Sequence, residues 1–245
     1  MTDGNSSRRV PGMKSSVLRT ASWAALTLSA SAEIESNIPL GIEAVTGIRS
    51  GYVHRGFDLA DTSLEFQFAG EVTLSNENSL HFGLSHLAES DGDFSETAGY
   101  LELARKFSDR FRAGFLTTYW ERNNSILDSG LDLGAFTSFS LNADWQWRNE
   151  LNYDLGAEGL YLASEITWSE ALSDKVYLSI SGGMSYLSGY QNRTGLNDFF
   201  ARISLNYAFS DQVSFSPFLG TSIQLDSEDS ANDIFYGGLW FQVIF

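Results

Sequence analysis

From residue 40 to residue 245 the apolar residues recur at every second position, with no sustained stretch at a period of 3.6. Successive side chains of a strand point to opposite faces, so this pattern predicts strands from one end to the other, each with an oily face and a wet face. Leu64, Phe66, Phe68, Val72 and Leu74 share one face against Glu65, Gln67, Glu71 and Thr73. Trp145, Trp147, Leu151 and Tyr153 oppose Asp144, Gln146, Arg148, Glu150 and Asn152, and Phe199, Ala201, Ile203, Leu205 and Tyr207 oppose Phe200, Arg202, Ser204 and Asn206.

The spacing predicts strands over 40–54, 64–74, 79–88, 95–107, 111–121, 130–140, 143–154, 160–170, 176–187, 198–209, 213–224 and 234–245. The connections alternate in kind. Short polar turns at Ser75 to Ser79, Ser108 to Arg110, Asn142 to Asp144, Ser173 to Lys175 and Ser210 to Gln212 alternate with longer ones, such as Glu121 to Gly130, Leu155 to Gly159, Ser188 to Asn197 and Asp226 to Asp233. About twelve strands, an even number, with short turns on one side and long loops on the other, predict an all-β, transmembrane, antiparallel up-and-down barrel with its short turns in the periplasm. Mean hydropathy is −0.14; a barrel is compatible with this, because only one face of each strand meets lipid. The aromatic residues fit two interfacial girdles: Phe111, Trp145, Trp147, Trp168, Tyr207 and Phe209 lie beside the short turns, and Tyr119, Tyr153 and Tyr186 lie toward the long loops.

Residues 1–32 differ from the rest. They hold Arg8, Arg9, Lys14 and Arg19, then the apolar stretch ASWAALTL, then Ala30 and Ala32 before Glu33. That order predicts a secretory signal peptide over 1–32, with Met13 an alternative start, and a barrel over 33–245. The chain has no Cys and a formal net charge of −16, which excludes disulfides, thiolate metal sites and cysteine nucleophiles and argues against nucleic acid as a partner. No cofactor is expected.

The chain ends in an alternating row, Leu239, Phe241, Val243 and Phe245. A barrel has no open edge, so this strand should pair with the first one. In this the chain resembles bacterial outer-membrane barrel proteins of Gram-negative cells, whose last strand ends on an aromatic residue read by the barrel-assembly machinery. The resemblance implies that Phe241, Val243 and Phe245 form an assembly signal. GIRSGYVHRGFD, Gly47 to Asp58, is similar to the first strand of the TorF-type porins, with Tyr52, Arg55 and Gly56 matching a Tyr-x-x-Arg-Gly element and His54 standing where an apolar residue is expected. The implied function is that of an outer-membrane porin.

Twelve strands lie between barrels filled by their own side chains and barrels with a wide channel, so a narrow, partly obstructed pore is expected. The inward, pore-lining set is Glu43, Arg49, Glu65, Glu71, His81, Glu102, Lys106, Arg112, Asp132, Asp144, Arg148, Glu150, Glu165 and Arg202. Acids outnumber bases in it, and carboxylate rings favour cations. The reading is a channel for passive diffusion of ions or small polar solutes, cation-preferring, with outer-membrane lipid and lipopolysaccharide as surroundings. Glu65, Glu71, Glu102 and Glu150 would set selectivity, facing Arg112, Arg148 and Arg202. One alternative is a closed structural or adhesive barrel acting through its loops, its Glu and Arg paired across the lumen. Another is a barrel hydrolase, for which His86 near Ser85, Glu89, Ser90 and Asp91 is the one constellation; Ser85 and His86 point to opposite faces and cannot form a dyad. Asp226 to Asp233 is oxygen-rich but lacks the turn glycine and final Glu of a calcium loop, so it is read as a solvated loop and no metal site is expected.

Overall fold

The computed structural model describes residues 40–123, 126–225 and 233–245. The expected signal peptide and most of the Asp226 to Asp233 loop lie outside the described residues.

The strands are β1 (Leu40–Arg49), β2 (Tyr52–His54), β3 (Phe57–Ala60), β4 (Ser63–Ser75), β5 (Asn78–Glu89), β6 (Ser95–Ser108), β7 (Phe111–Asn123), β8 (Gly130–Ser140), β9 (Trp145–Asp154), β10 (Gly159–Ser173), β11 (Val176–Tyr190), β12 (Arg193–Ala208), β13 (Val213–Gln224) and β14 (Ile234–Ile244). All but β2 and β3 form one closed antiparallel barrel of twelve strands. Its seam is the one expected: β1 pairs with β14 from Glu43↔Ile244 to Arg49↔Gly238, and the Phe245 amide donates to the Ile42 carbonyl. Closure leaves no unpaired strand edge, the condition for crossing a bilayer with strands.

The polarity is inverted relative to a soluble barrel. Phe115 is 71% exposed and Phe235 76%, and Leu64, Phe66, Leu84, Leu101, Leu133, Ile166, Ile203 and Leu219 also face outward. Such a continuous apolar exterior requires lipid around it. At the end with the short turns, Phe111, Phe139 and Trp147 stack across β7, β8 and β9 with centroids 4.6 and 5.7 Å apart, and Tyr207 meets Phe209 at 5.0 Å. Tyr119, Tyr153 and Tyr186 are exposed toward the opposite end.

Inside, the wall is notched. Several inward glycines lie opposite an aromatic residue on the next strand: Gly83 opposite Tyr100, Gly114 opposite Phe136, Gly183 opposite Phe200 and Gly220 opposite Tyr236. A Cβ at Gly114 would lie 2.7 Å from the Phe136 ring, and one at Gly220 2.6 Å from the Tyr236 ring. The rings fold down onto the wall because their neighbour has no side chain, which seats large aromatics along the wall.

Two expectations need correction. The first strand was expected to run to residue 54, but β1 stops at Arg49, and Tyr52, Arg55 and Gly56 belong to a separate hairpin, β2–β3. Arg55 and Gly56 both have positive φ (53° and 79°), the signature of a type I′ turn, which reverses the chain instead of extending it. Ser188 to Asn197 was expected as a long loop, but β11 and β12 continue to Tyr190 and Arg193 and meet in a tight turn at Gln191 and Asn192, also at positive φ. Beyond the lipid both faces of a strand are wet, so polar and glycine-rich composition there does not distinguish strand from loop.

Candidate functional site: the lumen and its inward hairpin

The hairpin leaves the wall after Arg49, re-enters it at Ser63 and crosses the lumen between. At its tip, the Arg55 guanidinium forms ion pairs with Asp132 on β8 and, at 3.5 Å, with Asp154 on β9, and donates to the Tyr190 hydroxyl at 3.2 Å. It also stacks on Tyr161 at 4.8 Å and Tyr190 at 5.3 Å. The tip backbone is held as well: Asn197 on β12 donates to the Arg55 carbonyl at 2.9 Å, and Gln224 on β13 donates to the Gly56 carbonyl at 2.7 Å. A non-glycine residue in the left-handed region costs on the order of 1 kcal/mol. Arg55 is kept there because both its side chain and its backbone are engaged.

The body of the hairpin is anchored to the strands nearer its base. The Tyr52 hydroxyl donates to Glu96, which also holds Arg122 at 2.6 Å, and Arg122 Nη2 lies 3.2 Å from His54 Nε2, an arrangement in which a neutral imidazole accepts. His54 packs edge-on against Trp120 at 4.7 Å. Phe57, Leu59 and Ala60 join Leu87, Phe94, Leu127, Tyr161, Leu187 and Tyr190 in one buried cluster. Val53 joins Phe218, Tyr236 and Trp240 in a second. Apolar packing on both flanks and ion pairs at base and tip make the hairpin an integral part of the lumen.

Arg148 lies between Glu102 at 3.0 Å and Glu150 at 3.2 Å, with its guanidinium 4.1 Å from the Phe136 ring. Arg49 is paired with Glu65, which also accepts from Gln67 and from the Trp240 indole. Arg202 stacks on Phe218 at 4.1 Å and on Trp240 at 3.9 Å. Toward the short turns the lining changes to amides and hydroxyls. Gln242 donates to Glu43 at 2.6 Å, Asn206 to Ser216 at 2.9 Å, Gln146 to Ser138 at 2.7 Å, and Ser169 to Ser179 at 3.1 Å. His81 lies 3.5 Å from Glu71 and 3.0 Å from the Ser79 hydroxyl through the same nitrogen, Nε2.

The structure thus gathers Glu65, Glu102, Asp132, Arg148 and Glu150 around the lumen's charged middle, with Glu71, His81, Glu165 and Arg202 on the same inward face. Three of the four acids expected to set selectivity, Glu65, Glu102 and Glu150, are already paired with arginine. Lys106 sits at the short-turn rim, in an exposed pair with Asp109 at 3.0 Å, and Arg112 lies across from it on β7. Asp144 is an exposed turn residue, not a wall residue. His86 is exposed on the outer face, bonded to Thr97 at 2.9 Å, and Ser85 faces inward. At the loop-end mouth, burial first, then the neighbouring carboxylates Asp61 and Glu89, push the Asp58 carboxyl above its ordinary range.

Sequence reasoning missed the hairpin contacts and, with them, Glu96, Arg122, Asp154 and Asp198. These four share the inward parity of residues that were assigned, Glu102, Arg112, Glu150 and Arg202. Continuing the alternation past the expected strand ends would have found Arg122, and Glu96, Asp154 and Asp198 lie within the expected spans.

No family model matches the chain, and no curated protein matches it. Solved barrels do. The fold is similar to that of an outer membrane channel from Pseudomonas putida F1 (TM-score 0.58, 11% identity, 89% of this chain and 100% of that one). It is similar to the KdgM porin (0.55, 10%, 84% and 99%) and to LpxR from Salmonella typhimurium (0.53, 9%, 84% and 100%). At these identities the likeness shows the fold, a twelve-stranded membrane barrel.

Proposed function

We propose that the chain is a porin-like channel of a Gram-negative outer membrane, passing ions or small polar solutes by diffusion through a narrow bore and preferring cations. The observation that carries this reading is the lumen itself: a membrane barrel whose interior is lined by amides, hydroxyls and charges, with the hairpin as its constriction. The cation preference rests on different acids from those first expected. Glu43, Glu71 and Glu165 have amide, histidine or hydroxyl partners in place of arginine and keep their field. The acidic loop-end mouth, with Asp58, Asp61 and Glu89, would raise the local cation concentration in the same sense. The assembly role of Phe241, Val243 and Phe245 belongs to the same reading.

A second reading, a closed barrel acting through its loops, is favoured by one observation, the stitching of the hairpin tip to β8, β9, β12 and β13. The test is the single-channel current of the refolded protein in a planar bilayer under a salt gradient. A steady conductance with a reversal potential of cationic sign supports the channel. A folded, inserted protein that passes no current would sink it in favour of the closed barrel.

A further inference from the structure

Beneath the hairpin lies a cavity of about 90 Å³, room for several waters or for a molecule of a few non-hydrogen atoms. Five carboxylates line it: Glu65, Glu96, Glu102, Asp132 and Glu150. Their ion pairs do not balance. Glu65 has Arg49 and Glu96 has Arg122, but Glu102 and Glu150 share the one guanidinium of Arg148, and Asp132 shares Arg55 with Asp154. These six carboxylates therefore pair with four guanidiniums, two carboxylates to each of Arg148 and Arg55, and Glu102 also feels the charge of Arg112.

The missing contacts lie at the same two places. Asp132 Oδ1 and Asn152 Oδ1 are buried and have no hydrogen-bond partner among the described residues, and both side chains line the cavity, each 1% exposed. The Asn152 amide is oriented by its Nδ2, which donates to Glu150 at 2.7 Å, so the orphan atom is an acceptor. Both of these orphans accept, which calls for a ligand bearing N–H groups at Asp132 and Asn152; the third unpartnered atom on a lining side chain, Arg49 Nε, is a donor and lies at the Arg49–Glu65 pair. Tyr52, Tyr100 and Trp120 also line the cavity, and aromatic faces favour an organic cation. No group of three or more metal-ligating side chains occurs among the described residues, so a coordinated metal ion is the poorer fit.

We infer that the cavity beneath the hairpin, with Asp132 and Asn152 as its unpartnered acceptors, is a binding site for a small primary alkylammonium ion. The inference deepens the cation-preferring channel by placing a selective station at its constriction, and to that extent rests on that reading. A primary ammonium has N–H groups to donate to such acceptors and adds positive charge where one guanidinium serves two carboxylates; a quaternary one has no N–H to give.

The test is thermal unfolding of the refolded barrel in methylammonium chloride, tetramethylammonium chloride or sodium chloride at equal ionic strength. The expected result is a midpoint that rises and saturates with methylammonium only, and a rise that is lost in Asn152→Leu, which keeps every ion pair, and in Asp132→Asn if that variant folds. Equal midpoints in the three salts, or an undiminished rise in a folded Asn152→Leu, would overturn the site and leave water as its only occupant. Sodium current through the same preparation separates the two ideas. Current without a methylammonium shift leaves the channel standing and removes the site; a shift without current keeps the site and removes the channel.

Discussion

Replacing Arg55 by Gln tests whether the hairpin tip holds the constriction. Arg55 is 5% exposed and is the shared cation of Asp132 and Asp154, which face each other across the β8–β9 pair. Removing it leaves two carboxylates side by side without their counter-charge, and breaking a buried pair in this way costs about 3–5 kcal/mol. At about 1.4 kcal/mol per tenfold, the balance between docked and undocked hairpin shifts by roughly two to nearly four powers of ten. The barrel strands do not depend on this contact, so the variant should refold and keep the electrophoretic mobility of a folded barrel.

The expected reading is a bilayer current with longer or larger openings than the wild type and a reversal potential moved further in the cationic sense, because the constriction gains one net negative charge. A further variant carrying Asp132→Asn together with Arg55→Gln returns this cluster to its wild-type net charge and should bring the reversal potential back toward the wild-type value. If folded Arg55→Gln gave the wild-type conductance and reversal potential, the hairpin tip would not control the bore and the reasoning from the ion pairs would fail.

Three other outcomes follow from the lumen, the mouth and the wall. Glu71→Gln and Glu165→Gln, whose partners are a histidine and a hydroxyl, should each lower the cation-to-anion permeability ratio read from reversal potentials. Asp58→Asn should protect the mouth segment from proteolysis at pH 7 and have no effect near pH 3: the folded Asp58 carboxyl is raised above its unfolded range, so its charge costs stability above that range and the cost vanishes as pH falls through it. Gly183→Val should abolish the folded form on gels, since a Cβ there would lie 2.5 Å from the Phe200 ring and press on the Ser164 carbonyl.

Most of the barrel was legible because one rule, apolar every second residue, governs every strand that meets lipid. Ten of the twelve expected spans match a barrel strand to within three residues at each end; 198–209 misses the start of β12, and 40–54 contains β1. The rule fails where lipid ends. β12 begins at Arg193 instead of 198 because Arg193 to Asn197 carry one large apolar residue, Leu196, among polar residues and a glycine, too little to show the alternation. The hairpin was illegible for a related reason: Val53, Phe57 and Leu59 are buried against the lumen and not in lipid, so their spacing follows no lipid-facing register. The one local signal was Arg55-Gly56, whose glycine suits the second position of a tight reversal.

The charged lumen shows why strand number does not by itself set the bore. Twelve strands enclose more space than their own side chains fill, and the sequence supplies inward acids and bases in unequal number. Pairing consumes the bases first: Arg49, Arg55, Arg122 and Arg148 all bind carboxylates, and two of these arginines belong to the hairpin or its root. Inserting the hairpin therefore brings cations inward as well as narrowing the passage, so obstruction and charge are coupled through the same residues. An undocked hairpin would widen the lumen and withdraw Arg55 from it at once. The cation preference and the conductance should for that reason rise together across tip variants, and a series in which one rose without the other would separate the constriction from the charge.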